Sequence, residues 1–185
     1  MLKYIFMILI SVLLSGCVTV PSYTFTPLNS PPVIKMFDPE IYTFKEVLNM
    51  FINSGMVLTA LPDIADTRYV LPQREWVEKV LSPKFKNYLT LLEISPQENT
   101  WDCDDITREC EAFVVREYNK TDHPPGTTLL WGRYAFITTN LMGHILNISL
   151  IQSGPIQDIL FYEPQIQKEV ELAGFERAAT ITWGY

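Results

Sequence analysis

The run Pro124-Pro125-Gly126 divides the chain into two stretches with different hydrophobic periods, and this break constrains the fold more than any other feature. Upstream the apolar residues recur at helical spacing. Thr43-Phe44-Lys45-Glu46 matches a capping box, and Phe44, Val47, Leu48 and Phe51 then share one face until Gly55, which predicts a helix over 44–54. A second helix is expected from Gln73 to Leu81, and Ser82-Pro83 reads as the N-cap and first position of a third that ends near Leu92. A fourth spans Trp101 to Asn119, with Asp102 as N-cap, Ile106, Cys110, Phe113 and Val114 as its buried stripe, and Cys103 on that stripe at the first turn. Downstream the pattern turns to branched and aromatic residues in short runs: Leu129 to Thr139, Gly143 to Ile151, Ile156 to Tyr162 and Ala178 to Trp183. A short helix is expected between them over Gln165 to Ala173, stopped by Gly174. Helices first and an antiparallel sheet afterwards make an α+β domain, here placed at 41–185. At about 145 residues, in a chain that is 48% hydrophobic, it can bury a core of its own.

The first residues are of another kind. Lys3 precedes an apolar run from Tyr4 to Leu14 that is too short to cross a bilayer as a helix, and Ser15-Gly16-Cys17 follows, the layout of a secretory signal over 1–16. Leu14-Ser15-Gly16-Cys17 resembles the lipobox of bacterial lipoproteins. That resemblance implies cleavage before Cys17, diacylglycerol on its sulfur and a further acyl chain, such as palmitate, on its amino group, which together hold a protein stably to a membrane. Val18, where an Asp would favour inner-membrane retention, points to the outer membrane and its periplasmic face in a Gram-negative host. Residues 17–40 carry Pro21, Pro27, Pro31, Pro32 and Pro39 and read as an extended tether, or, given Tyr23, Phe25, Ile34 and Phe37, as an arm packed on the domain. Loss of 1–16 removes one lysine and no acid from a chain of net charge −7, leaving 13 basic against 21 acidic residues. An acidic protein without a Lys/Arg cluster excludes nucleic acid as its partner.

Two thiols remain after Cys17. Outside the cytoplasm they would by default pair. Seven residues of helix, however, hold Cys103 and Cys110 about 10 Å apart, beyond the roughly 7 Å that a disulfide spans. Cys110, in mid-stripe, is a core residue. Cys103 sits where a helix N-terminus favours a thiolate, although Asp102, Asp104 and Asp105 oppose that effect and call for a basic partner. His144 opens a strand, whereas His123 lies in a Pro-rich loop. A hairpin centred between Ser153 and Gly154 would set Glu163 directly opposite His144, close enough to orient its ring. Cys103, His144 and Glu163 then have the residue types of nucleophile, general base and orienting acid. A capped helix, a strand-end histidine and a surface glutamate account for the same residues without chemistry.

Trp101-Asp102-Cys103-Asp104-Asp105, Gly143-His144 and Glu163-Pro164-Gln165 together resemble the papain-like protease domain at the C-terminus of fungal agglutinins, over roughly residues 97–167. NlpC-type cell-wall endopeptidases and transglutaminase-like proteins are more distantly similar. The former usually carry Ser-Gly after the cysteine and a His as third residue, unlike this chain. The resemblance implies a papain-like fold and a cysteine peptidase using Cys103, His144 and Glu163. It also implies calcium as an activating cofactor with Asp104 and Asp105 among its ligands, and Gln97, six residues before the cysteine as in papain, as an oxyanion donor. The expected substrate is a peptide or amide bond, with peptidoglycan one choice for an envelope protein. Transglutaminase-like amide transfer uses the same three roles. A non-catalytic lipoprotein that binds a cell-envelope partner through the same fold is the competing expectation.

Overall fold

The computed structural model describes residues 33–58, 68–95, 101–138, 142–153, 156–172 and 178–183. Residues 1–16, expected to be a secretory signal, and Cys17 lie outside these residues. Among the described residues no helix is long and apolar enough to cross a membrane.

The compact unit begins at Ile34, earlier than the boundary near residue 41 expected from the proline content. Met36 is buried, Phe37 bridges to Pro72, and the backbone bonds Asp38 N–Leu71 O and Gln73 N–Met36 O lace this segment onto the domain. The packed-arm alternative therefore describes residues 34–38.

Strand β1 (Tyr42–Thr43) leads into helix α1 (Phe44–Asn53) through the expected capping box: Glu46 N–H donates to Thr43 Oγ1 and Thr43 N–H to Glu46 Oε2. Strands β2 (Val57–Leu58) and β3 (Arg68–Val70) follow. The next two expected helices are one continuous run: α2 (Arg74–Trp76), a π-helical turn over Val77–Leu81, and α3 (Ser82–Leu91). Ser82 keeps helical dihedrals and does not cap. Proline inside an α-helix clashes with the carbonyl four residues back. The wider turn before Pro83 relieves that clash, and both the N–H and the hydroxyl of Ser82 donate to Val77 O, five residues earlier.

Helix α4 (Cys103–Tyr118) starts at its Asp102 cap as expected. The strands after it are β4 (Thr128–Leu129), β5 (Gly132–Ile137), β6 (Gly143–Ser153), β7 (Ile156–Glu163), β8 (Lys168–Glu169) and β9 (Ala178–Trp183). They form a three-stranded sheet in the order β1-β3-β4 and a six-stranded sheet in the order β2-β9-β5-β6-β7-β8. The pairs from β9 to β8 are antiparallel, while β2–β9 and β3–β4 are parallel. The architecture is α+β, with a large sheet that is antiparallel apart from its edge.

Residues expected to continue as a helix after Gln165 instead make a tight turn over 164–167 and the short strand β8. Gln167 takes a left-handed φ of 52°, and Val170 N–H returns to Phe161 O. Ala173 and Gly174 lie outside the described residues.

Side chains alternate across the large sheet. Leu146, Ile148 and Leu150 of β6 join Phe51, Tyr134 and Phe161 in one core beneath α1. On the opposite face Ile151, Leu160 and Tyr162 meet Ile106, Cys110 and Val114 of α4 and Phe85 of α3. Helices thus cover both faces, and α4 lies against the middle strands.

Candidate active site

Cys103 is the first residue of α4, half-buried, with a free thiol; Cys110, two turns on, is free and fully buried, and burial pushes its thiol well up. An intact helix between them is why they do not pair.

The hairpin register differs from the expected one by two residues. Ser153 pairs with Ile156 and Asn147 with Tyr162, so the turn is centred one residue later than the sequence suggested. A slip of one residue would have turned every side chain to the other face, whereas a slip of two keeps the face. Glu163 is accordingly diagonal to His144 and still reaches it: His144 Nε2 lies 2.6 Å from Glu163 Oε2. Diagonal positions about 7–8 Å apart can be joined only by long side chains, and Glu and His together are long enough.

The carboxylate is only 8% exposed, and its other oxygen accepts the backbone N–H of Gln165 at 3.1 Å. The imidazole edge meets Phe136, its cross-strand partner, at 5.5 Å between ring centroids and 80° between planes. A ring held this way has one orientation. Its Nε2–H donates to Glu163, which leaves Nδ1 as the proton-accepting nitrogen of the neutral form. His123, by contrast, stacks on Tyr118 and bonds the carbonyl of Thr121.

The helix start is tied to this strand by Thr107. Its hydroxyl lies 2.6 Å from Cys103 O and 3.2 Å from Ile145 O, the residue after His144, and Asn147 Nδ2 donates to both Thr107 O and Gly132 O. The link between thiol and imidazole is thus indirect. Among the described residues no hydrogen bond joins Cys103 Sγ to His144, and alternation along β6 turns Asn147 toward α4 and His144 toward Phe136 on the other face.

The carboxylates of Asp102, Asp104 and Asp105 bring oxygens within 4.8 Å of one another. Their mutual contact splits the two carboxyl pKa values: a hydrogen bond to Asp104 lowers that of Asp102 from its ordinary value, and the same bond raises that of Asp104. Arg108 balances the cluster, 2.7 Å from Asp104 and 3.8 Å from Asp105. Three carboxylates with oxygens this close are hard donors of the kind calcium takes, with Asp102 added to the expected pair Asp104 and Asp105. Gln97 lies outside the described residues.

Thr107, Asn147 and Phe136 were missed as site residues from the sequence. Thr107 could have been found from its spacing, one turn after Cys103, and Asn147 from its place as a lone amide inside the apolar run Ile145 to Ile151.

No protein-family model matches the chain, and no curated protein matches it in sequence. Solved structures do. The PSL1a–E64 complex superimposes with a TM-score of 0.60 at 17% identity, over 77% of this chain and 51% of that one. The Polyporus squamosus lectin, bound to the human-type influenza-binding epitope Neu5Aca2-6Galb1-4GlcNAc, gives 0.60 at 16% identity, over 77% of this chain and 49% of the lectin. The chain shares its fold with these lectin structures. It spans about half their length.

Proposed function

We propose that the protein is a membrane-anchored thiol hydrolase of papain-like fold, held to the outer membrane through lipid on Cys17 and acting on peptide or amide bonds in the cell envelope. The observation that carries this reading is the 2.6 Å contact between His144 Nε2 and a buried Glu163, on a strand tied to the start of the Cys103 helix. A half-buried histidine with only a structural role has no need of a carboxylate that is itself buried and pinned by a backbone N–H.

In this mechanism His144 Nδ1 takes the proton of Cys103, and the thiolate attacks the carbonyl carbon. The backbone N–H of Cys103, the first of α4, stabilises the oxyanion, while the Asp102 cap occupies the N–H groups that follow. The imidazolium, held by Glu163, protonates the departing amine; water then enters by the same proton route and releases the acyl group. An amine in place of water gives transglutaminase-like transfer. Asp102, Asp104 and Asp105 would hold calcium, whose charge offsets the carboxylates around the thiolate. The likeness to the PSL1a–E64 complex supports the reading, because E64 is a thiol-directed epoxide and the resemblance set out from the motifs is to the fungal agglutinin protease domain.

A second reading, a non-catalytic envelope-binding lipoprotein, is favoured by one observation: His144 points to the face of β6 away from α4, with no hydrogen bond to Cys103. Alkylation separates the two. Full-length protein in detergent is treated with iodoacetamide and read by peptide mass, with and without calcium. The hydrolase reading expects Cys103 to react and Cys110 to stay inert, and His144→Ala to slow Cys103 by about 10²–10⁴-fold, the worth of a general base. Equal rates in wild type and His144→Ala would establish the binding reading instead.

A further inference from the structure

Between α4 and the sheet lies a buried polar cluster that the mechanism does not use. Glu111 stands one turn beyond Thr107 and is 7% exposed. Helical hydrogen bonding sends its N–H to the carbonyl of Thr107, and Asn147 Nδ2 donates to that same carbonyl at 3.3 Å. Asn147 is the cross-strand partner of Arg133, whose Nε lies 3.1 Å from Glu111 Oε2. The carboxyl and the amide thus share a carbonyl and a guanidinium as neighbours, which brings them into one small space.

Donors and acceptors in that space do not balance. Glu111 Oε1 and Asn147 Oδ1 are both buried without a hydrogen-bond partner. The amide hydrogens of Asn147 go to Thr107 O and Gly132 O, and the buried indole N–H of Trp131 bonds neither oxygen. A proton on Glu111 turns one of the two acceptors into a donor and satisfies both. Burial favours that neutral form and pushes the carboxyl up to about 7, while Arg133 pulls the other way. Among the described residues Arg133 is the one charged group turned to Glu111 from the sheet. Strand β6 presents Asn147 between Ile145 and Ser149, and β4 has only Thr128 and Leu129. Along α4 itself, Arg108 is engaged by Asp104 and Asp105, and the buried thiol of Cys110 is neutral; α3 meets the helix elsewhere, at Glu109 and Phe113.

We propose that Glu111 is a positioning residue for the Cys103 site and acts as a proton-controlled latch. Protonated, it donates to Asn147 Oδ1 and holds the amide on Thr107 O and Gly132 O. Ionised, with its proton released to solvent past the partly exposed Arg133, it draws the amide hydrogens to its own oxygens and frees both carbonyls. The inference rests on the thiol-hydrolase reading and adds the regulation of its site. Thr107 is the residue whose hydroxyl joins Cys103 O to Ile145 O, so an open latch loosens the first turn of α4 from the strand that carries His144. The sign follows: the site is assembled while Glu111 keeps its proton, and the His144-assisted reactivity of Cys103 falls as pH rises past neutrality, where an ordinary thiol gains reactivity.

The test alkylates the full-length protein in detergent with iodoacetamide, at fixed calcium, from about pH 5.5 to about pH 8.5, and reads the Cys103 adduct by peptide mass. Glu111→Gln keeps the shape and always has a hydrogen to donate, so it is the latch held shut. Dividing the wild-type rate by this variant's rate at each pH removes the titrations of Cys103 and His144, which the two proteins share. The quotient is expected near unity at the acid end and to fall about tenfold through neutral pH, within the roughly 10²-fold that a 1 Å misplacement costs. Arg133→Gln should move that fall to higher pH, because it removes the charge that favours ionised Glu111; loss of a merely structural contact would lower the rate at every pH alike. Hydrogen exchange reads the same event without chemistry at the thiol. Relative to α1, which the cluster does not touch, the first turn of α4 should exchange faster in the wild type than in Glu111→Gln at the alkaline end, and equally at the acid end. A flat quotient, with His144→Ala still slowing Cys103, overturns the latch and leaves the hydrolase standing. If His144→Ala has no effect at any pH the hydrolase reading fails, and unchanged exchange in α4 is then the result that overturns the latch.

Discussion

Thr107 does at one atom what the sequence assigned to a direct thiol–imidazole pair. Its hydroxyl joins the carbonyl of Cys103 to that of Ile145, so the first turn of α4 and the strand carrying His144 move as one piece. Threonine in a helix commonly returns its hydroxyl to the carbonyl one turn back; the second acceptor, on a different element, is what makes this residue a positioning group. Thr107 is fully buried, so a lost bond there is not replaced by water. Thr107→Val, which keeps the volume, is therefore expected to cost about 1–2 kcal/mol in urea denaturation and to speed hydrogen exchange in the first turn of α4. A cost without faster exchange there would mean that the hydroxyl only fills space. Glu163 acts on the same scale: with one oxygen on His144 and the other on Gln165 N–H, it is fixed before any substrate arrives.

Elements are positioned by their ends, and the ends decided how far the sequence could be read. The capping box at Thr43 and the Asp102 cap put α1 and α4 where the sequence places them, because a cap is a local rule. The hairpin register was misplaced by two residues, since the turn centre depends on a loop geometry that Ser153-Gly154-Pro155 leaves open. The face assignment of Glu163 survived only because the slip was even. Gln165 to Val170 carries helix-compatible residues, yet pairing of Glu163 with Lys168 and Tyr162 with Glu169 wins them for the sheet. Two-residue strands such as β2 and β8 have no periodicity to detect. The end of α3 carries a testable strain. Ile94 N–H returns to Leu89 O and Glu93 N–H to Thr90 O around a left-handed Glu93, a Schellman-type ending in which glycine is the usual residue. Glu93→Gly removes the Cβ penalty of that conformation and should raise stability by about 1 kcal/mol, seen as a higher urea midpoint with unchanged slope. An unchanged or lower midpoint would show that the Glu93 side chain contributes more than its backbone costs.

At the scale of the molecule, α4 is the layer that joins the helices to the sheet, and its contact with the sheet is partly polar. Glu111, on the same stripe as Cys103 and Thr107, is buried with Oε2 3.1 Å from Arg133 Nε, out of line for a hydrogen bond, while its Oε1 and Asn147 Oδ1 have no hydrogen-bond partner. Nothing in the hydrophobic pattern announces this, because a single glutamate on a helix reads as solvated. Burial raises its carboxyl from 4.5 to about 7, and Arg133 offsets only part of the rise. A carboxyl with a raised folded-state pKa holds its proton in the folded protein at pH values where the unfolded chain has already released it. Between about pH 4.5 and 7 the folded state therefore binds more protons than the unfolded state, and stability falls as pH rises through that window. A rise from 4.5 to about 7 corresponds to a loss of at most about 3–4 kcal/mol. Partial exposure of Arg133 and relaxation around the pair reduce that figure. The expected measurement is a melting temperature that declines from pH 5 to pH 7.5 in the wild type and is flatter over the same range in Glu111→Gln, which keeps the shape without the titration. A parallel decline in both proteins would place the pH dependence elsewhere and leave Glu111 ionised throughout, its charge satisfied by Arg133.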